Sequence, residues 1–363
     1  MIPAKSKDIN RDWLNQVLHS SGFLGDASVI SLQHEPWGVG EGFVSDMARL
    51  TVAYDREAPH LPKTMIAKLP TSYESARAIA MLYNIYEREI RFYTEVAPQS
   101  PIRTPGLIYG EVDSENERYA LLLEDCSRYT QVDQVKGLDY DQTKLVALKL
   151  ADFHARWWDA EDLFSFPWMA KPRGPEAMAL IDTFRVCWDA SAQIEDFRKM
   201  LPEGGWEAGL KIYEHYPWLI ESIPDEHLTI SHFDFRTDNM FFDWDTPDDP
   251  LIVFDWGAAS VSRGVGDLAY LLGGSVATDV RRTVEKDVVR LYYERLLERG
   301  VSGYSFDECW NDYRKGLLFF TFIGVLAVVS LDMSDPRGTE LIRLAIPRYF
   351  TAIVDNEAIS VLP

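Results

Sequence analysis

The pattern of apolar and polar positions changes character near residue 125. Before it, short apolar runs dominate. Val29 to His34, Met47 to Tyr54, Thr64 to Leu69, Ile108 to Gly110 and Tyr119 to Leu123 each read as a strand, bounded by turn residues. Helices interrupt them at Asp8 to Leu18, with Asp8 as its cap and Trp13, Leu14 and Leu18 on one face, and at Ser75 to Val96. The second reads as one continuous helix, because Ile79, Leu82, Tyr86, Ile90 and Tyr93 recur at three- and four-residue spacing. Beyond residue 125 the helical period takes over. Thr143 to Trp158 predicts a helix with Leu145, Leu148, Ala151 and Ala155 on one face, and several more follow up to about residue 227. One hairpin breaks the series: Met240 to Asp243, a turn within TPDDP, then Leu251 to Asp255. From Asp267 onward the chain reads as helices. The apolar run Gly316 to Leu331 is shorter than the ~20 residues of a spanning helix. With Lys315 and Asp332 beside it, it reads as a buried core helix. A β-rich half followed by a helical half predicts an α+β fold in two lobes, 1–125 and 126–363.

Composition narrows the possibilities. The 363 residues are 47% hydrophobic and 26% charged, an ordinary globular mixture. The formal net charge of −21 disfavours non-specific binding to nucleic acid or to an anionic membrane. It would tolerate a cationic substrate. Cys126, Cys187 and Cys309 are far apart and form no CxxC pair, which speaks against a disulfide framework or a cysteine zinc site. The N-terminus has no apolar signal-peptide segment. The expectation is a cytoplasmic protein.

The chemistry concentrates in ISHFDFRTDNMFFDWDTPDDPLIVFDWGAAS, Ile230 to Ser260. The hairpin arms run antiparallel, so Asn239, just before the first, meets Asp255, just after the second. His232 and Asp234 sit in the loop leading in. Oxygens gathered this way suit a hard cation such as Mg²⁺, which keeps waters and takes further ligands from substrate phosphates. Asp234 is not needed for that and is free to take a proton from an attacking hydroxyl. Any one of these residues alone would be explained as a turn or cap residue. The joint pattern, His-x-Asp-x4-Asn, a strand, then Asp-Trp-Gly, is far more specific.

That pattern resembles the catalytic core of the kinase-like phosphotransferases. Its spacing and the Asp-Trp variant are similar to the aminoglycoside phosphotransferase and choline kinase branch. HFDFRTDN, FDWGAASVSRG and GDLAYLLGGS look most like the ecdysteroid kinase-like group. The resemblance implies a bilobal protein-kinase-like fold, with one long helix in a β-rich N-lobe and a mostly helical C-lobe. It implies ATP as phosphoryl donor with Mg²⁺. By position, Asp234 would be the catalytic base, His232 would brace its loop, and Asn239 and Asp255 would bind the metal. Asp267 would be a structural acceptor that steadies the same loop.

The resemblance also implies roles in the first half. Lys68 is the candidate cation for the α- and β-phosphates. Its partner is Glu89 rather than Glu87, because the family pattern places the glutamate just before an apolar-x-Phe-Tyr step. The two glutamates lie about 200° apart on a helix, so both cannot face the cleft. The glycine-rich stretch GVGEGFVSD would cover the phosphates, with Gly38, Gly40 and Gly42 letting the backbone approach them and Gly42, Phe43 and Ser45 at its tip. Glu124, Asp125 and Cys126 follow an apolar strand and would form the hinge that reads the adenine edge. One departure stands out: Phe233 occupies the position where the common pattern has glycine.

The acceptor is less constrained. Trp157, Trp158, Trp168, Trp188, Trp206 and Trp218 fall between the hinge and the catalytic loop. Tryptophans there can line an apolar pocket or cage a quaternary amine, although their commoner place is the core. His154 reads as a packed helix residue. Together with the resemblance, this favours a rather apolar small-molecule alcohol: sterol-like, terpenoid or hydroxyacyl. The alternatives are an amino-sugar or choline-type kinase, and a kinase-fold nucleotide-binding protein without turnover. Intact Asp234, Asn239 and Asp255 weigh against the latter. A metal-dependent hydrolase would need a histidine pair such as HExxH, which the sequence lacks.

Overall fold

Burial parity along the early strands decides which side chains reach the site. In the computed structural model, which describes residues 2–38, 44–56, 60–330 and 336–363, helix α1 (Arg11–Ser20) precedes strands β1 (Val29–Pro36), β2 (Ser45–Tyr54) and β3 (Thr64–Pro70). Helices α2 (Glu74–Leu82) and α3 (Ile85–Arg91) follow, then β4 (Leu107–Asp113) and β5 (Arg118–Glu124). The strands form one antiparallel sheet in the order β1-β2-β3-β5-β4. Met65, Ala67 and Leu69 of β3, with Ala120 and Leu122 of β5, join α1 in a core on one face. Tyr119, Leu121 and Leu123 point the other way, into a larger core that runs through the helices to Ala358. Lys68 pairs with Leu121 across the ladder. Opposed residues share a face, so Lys68 looks toward the helices and not into the first core.

Two expectations about the early helices change. Asp8 does not cap α1; it ends a short 3₁₀ turn, Ser6–Asp8, and the Asn10 side chain accepts the Trp13 N–H at 2.9 Å instead. The stretch from 75 to 96 is not one helix. Tyr83 closes α2, and Asn84 takes a left-handed φ of 52° before α3 starts. Asparagine tolerates that conformation better than most residues. The break turns the apolar stripe: Tyr86, Ile90 and Tyr93 are buried, while Ile79 and Leu82 are exposed. Phe92–Val96 continue α3 as a π-helical turn.

The second half opens with α4 (Tyr140–Trp157), held by a reciprocal capping box between Asp139 and Gln142. Its buried stripe is Val146, Leu150, Phe153, His154 and Trp157, with Ala151. The expected Leu145, Leu148 and Ala155 stand at the margin, because α4 packs on α9 and on the strand Thr229–Ser231. Helices α5 (Pro175–Ala192), α6 (Glu195–Met200) and α7 (Gly205–Glu221) follow. Then β6 (Thr229–Ser231) pairs with β9 (Ser260–Ser262), enclosing the hairpin of β7 (Met240–Phe242) and β8 (Leu251–Val253). Helices α8 (Val265–Ser275), α9 (Thr278–Glu298), α10 (Phe306–Phe319), α11 (Thr321–Ser330) and α12 (Pro336–Asp355) complete the fold. The expected single core helix over 316–331 is split, because Phe320 ends α10 and α11 restarts one residue later. Phe306–Ser330 is long and apolar enough to cross a membrane by composition, but the break and its half-burial pack it as a pair of helices.

Candidate functional site

Three charges meet on the helix-facing side of the sheet. Lys68 Nζ donates to Glu89 Oε1 at 2.6 Å and to Asp255 Oδ1 at 3.1 Å. Strand parity brings Lys68 to this face, and α3 presents Glu89. Glu87 lies on the outer side, paired with Arg91 and Ser114. Burial alone would lower the Lys68 ammonium, but Asp255 and Glu89 outweigh it and hold it above its ordinary value. Burial pushes the Glu89 carboxyl up to about 7 against the pull of Lys68. Asp255 is held below the usual carboxylate range, Lys68 outweighing the effect of burial.

Asp255 takes a left-handed φ of 66° after β8. Its neighbour Trp256 is fully buried and stacks on Phe92, with ring centroids 3.9 Å apart. Gly257 lies so close to α3 that a Cβ would stand 2.6 Å from Ile85 Cγ2. The Asp-Trp-Gly turn is therefore docked directly onto the helix that carries Glu89.

The loop before the hairpin is pinned from beneath. The buried Asp267 carboxylate accepts the N–H groups of His232 (2.6 Å) and Phe233 (2.9 Å) and the Ser231 hydroxyl (2.7 Å). His154 Nε2 lies 3.3 Å from the same carboxylate, and its Nδ1 lies 2.8 Å from the Tyr292 hydroxyl. His232 Nε2 is bonded to the Phe254 carbonyl, and its Nδ1 accepts the Asp234 N–H. Its ring thus joins the loop before the hairpin to the end of β8. Asp234 itself is partly open. The Asn239 amide donates to Asp234 Oδ2 at 2.9 Å and to its carbonyl at 2.8 Å. Arg236 Nε reaches the same carboxylate at 3.3 Å. Burial would lower the Arg236 guanidinium, but Asp234 and the carboxylates around it hold it above its ordinary value.

At the hinge, the Glu124 N–H is taken by the Gly106 carbonyl at 2.8 Å, and the Glu124 side chain pairs with Arg128. Asp125 is tied to Arg49 at 2.7 Å. Among the described residues no hydrogen bond to a protein acceptor is seen from the Cys126 N–H, which leaves it able to donate. Ser45 starts β2 and lines a small cavity of ≈ 10 Å³ with Lys68 and Glu89. Gly40, Gly42 and Phe43 lie outside the described residues.

The sequence profile of the ecdysteroid kinase-like family matches residues 39–157 and 178–300, more than half of the chain. The chain belongs to the ecdysteroid kinase-like family. It is thereby a small-molecule phosphotransferase of kinase-like fold, with the α+β arrangement the sequence predicts. Solved structures agree on the fold. A candidate aminoglycoside phosphotransferase from Ralstonia eutropha JMP134 is 16% identical, with a TM-score of 0.56 over 92% of this chain and 94% of its own. Choline kinase from Cryptosporidium parvum Iowa II is 12% identical, with a TM-score of 0.54 over 98% and 94%. The GDP and kanamycin complex of the aminoglycoside phosphotransferase APH(2")-IIIa is 15% identical, with a TM-score of 0.54 over 95% and 98%. No curated protein matches by sequence.

In this ecdysteroid kinase-like chain the positions expected to hold metal offer hard oxygens. The Asp255 side chain is 41% exposed. The Asn239 amide nitrogen is committed to Asp234, which leaves its oxygen as the free end. Among the described residues no group of three His, Cys, Asp or Glu is gathered as a metal cage. That donor set fits Mg²⁺, which completes its shell with phosphate oxygens and water.

The family member's second feature is a cavity of ≈ 270 Å³ beside Asp234, near the lower end of ligand-pocket sizes. Its lining is mostly apolar, including Leu180, Ile220, Phe233, Phe322 and Leu326. None of the tryptophans singled out in the sequence lines it. Trp157, Trp168 and Trp188 are buried in the core, Trp158 packs on Tyr304 and Trp206 on Trp188. Phenylalanines line it instead. Phe233 has φ 72°, a conformation that glycine adopts freely and a bulky residue rarely does. Its ring centroid lies 5.4 and 5.1 Å from those of Phe319 and Phe320.

Two elements of the site escape the sequence reading. Arg236 is one; its signal is a basic residue two positions after the candidate base in an otherwise acidic loop. The Asn84 helix break is the other. It sets Ile79, Tyr83, Ile85 and Arg88 along the cavity, where one continuous helix was expected.

Proposed function

We propose that this chain transfers the γ-phosphoryl group of Mg-ATP to the hydroxyl of a rather apolar small-molecule alcohol. One observation carries the reading: Asp234 lines an apolar cavity and its carboxylate is hydrogen-bonded to Asn239, whose carbonyl accepts the N–H of Phe254, the residue before the Asp255 that pairs with Lys68. The acceptor pocket and the phosphate-binding corner share that carboxylate. Residues 1–125 act as the nucleotide lobe and 126–363 as the catalytic and acceptor lobe.

The residues divide the work by charge. Lys68, fixed by Glu89, neutralises the α- and β-phosphates. The Cys126 N–H donates to the adenine edge, and Ser45 lies near the phosphates. Asp234 accepts the proton of the acceptor hydroxyl as the oxygen attacks. Asn239 and Arg236 fix the orientation of its carboxylate. Asp267 and His232 hold the loop that carries it. A magnesium ion held by Asp255 and the Asn239 oxygen would neutralise charge on the β- and γ-phosphates. Positioning and electrostatics account for most of the rate in such a transfer.

The apolar lining supports an apolar acceptor over an amino sugar, and a pocket without tryptophan offers no indole cage for choline. The test is Mg-ATP-dependent ADP release across amino sugars, choline and ethanolamine, sterols and hydroxyacyl thioesters. Release confined to the apolar alcohols, and lost in Asp234→Asn, supports the reading. Release with amino sugars alone contradicts the acceptor class.

A further inference from the structure

The wall of the acceptor cavity carries a cation that the protein leaves unsatisfied. Arg88 of α3 is 4% exposed, and its Nε and Nη2 are covered and have no hydrogen-bond partner. Among the described residues its ion-pair partner is Glu176, near the start of α5, with Oε1 4.0 Å from Nη2. That is beyond hydrogen-bond reach. Burial pushes the guanidinium down to about 10. Buried polar groups are nearly always partnered, and a buried charge without hydrogen bonds is costly. An apolar side chain of similar size would fill the position without that cost. Glu89, the next residue, faces the other way toward Lys68.

The bare atoms are specific in kind. Nε and Nη2 form one edge of the planar guanidinium, with two parallel N–H bonds. That edge matches the two oxygens of a carboxylate. The other charged side chains lining the cavity are the exposed Lys171, Glu176 and Asp234. Glu176 has a third of its side chain open to solvent and can turn outward.

We propose that the acceptor is an amphipathic hydroxy acid. Its hydroxyl meets Asp234, its apolar body lies on Phe233 and Phe322, and its carboxylate takes the Nε/Nη2 edge of Arg88. This rests on the phosphotransfer reading and narrows its substrate class. Glu176 is displaced by the ligand and opposes binding through its like charge.

The test separates binding from turnover. Calorimetry without nucleotide compares ω-hydroxydecanoate with its methyl ester and with decanediol, on the whole chain. The acid binds roughly ten- to a hundredfold more tightly than either neutral compound, the range of charge-assisted hydrogen bonds. Arg88→Gln abolishes that preference, Arg88→Lys retains part of it, and Glu176→Gln increases it. The comparison on the unaltered chain needs no variant to fold. Equal binding of acid and ester, no binding of the acid, or a preference that survives Arg88→Gln and vanishes in Lys171→Ala overturns the proposal. Turnover is read separately with Mg-ATP. Phosphorylation of all three compounds alike removes the role of Arg88 and leaves the kinase reading intact. Arg88-dependent binding of the acid without transfer does the reverse.

Discussion

The two sides of Asp234 are built differently. On one side, Lys68, Glu89 and Asp255 satisfy one another at 2.6 and 3.1 Å. On the other, an apolar cavity is walled by Phe233 and Phe322 and holds an Arg88 without hydrogen bonds at its guanidinium edge. The charged corner is pre-organised: its groups already stand in the field they would present to a triphosphate. The cavity is unsaturated: it has surface and charge that the protein does not use. A donor common to many enzymes calls for a fixed corner. A particular acceptor calls for a wall that can vary, and Phe233 in glycine-type backbone geometry is such a variation.

The strongest way to break the comparison is at its shared residue. Asp234→Asn keeps the shape but removes the base, and kcat falls by roughly 100- to 10,000-fold, with Mg-ATP binding retained. Single-turnover kinetics beside nucleotide calorimetry checks both halves.

Next is the charged corner. Lys68→Met removes the cation between two carboxylates, and kcat/KM falls by about 100- to 1,000-fold. The pH profile sharpens this. Glu89 is raised to about 7 from 4.5, so acid protonates it and frees Lys68. The profile of kcat/KM should fall on the acid side near pH 7, and Glu89→Gln should lose that limb. For stability the sign is opposite. The fold favours the neutral Glu89 carboxyl, so its contribution is present below the unfolded value and is lost as pH rises through about 7. Denaturation midpoints at several pH values, compared with Glu89→Gln, isolate it.

Phe233→Gly probes the apolar side. It relieves a left-handed backbone worth about 1–2 kcal/mol and removes aromatic packing of similar size. Stability should change little, while preference for apolar over polar acceptors falls about tenfold. The smallest effect belongs to Trp158→Phe. The Trp158 Nε1 makes no hydrogen bond and its ring packs on Tyr304, away from the cavity. Its stability should shift by no more than about 1 kcal/mol, with selectivity unchanged.

The same contrast explains what could be read in advance. His232, Asp234 and Asn239 lead into one hairpin and Asp255 follows it, so spacing alone places them at one end. Lys68 follows from the family pattern, at a strand end between the glycine-rich turn and the helical stretch, and strand pairing then turns it toward the helices. Glu89 over Glu87 follows from the family pattern, given that only one helix face meets the cleft. The acceptor side depends on events without a local signature. Asn84 interrupts a helix whose apolar spacing continues past it. The break in the 316–331 run falls between apolar residues, at Phe320, where composition says nothing. The tryptophans take their commoner place in the core: composition counts aromatics, whereas packing decides that phenylalanines face the cavity.

The measurement that bears most directly on the central claim is ADP release from Mg-ATP with apolar alcohols, run in parallel on the unaltered chain and on Asp234→Asn. The account predicts acceptor-dependent release in the first and its loss in the second, with nucleotide binding equal in both. Equal release from the two chains would remove Asp234 from the chemistry and contradict the account.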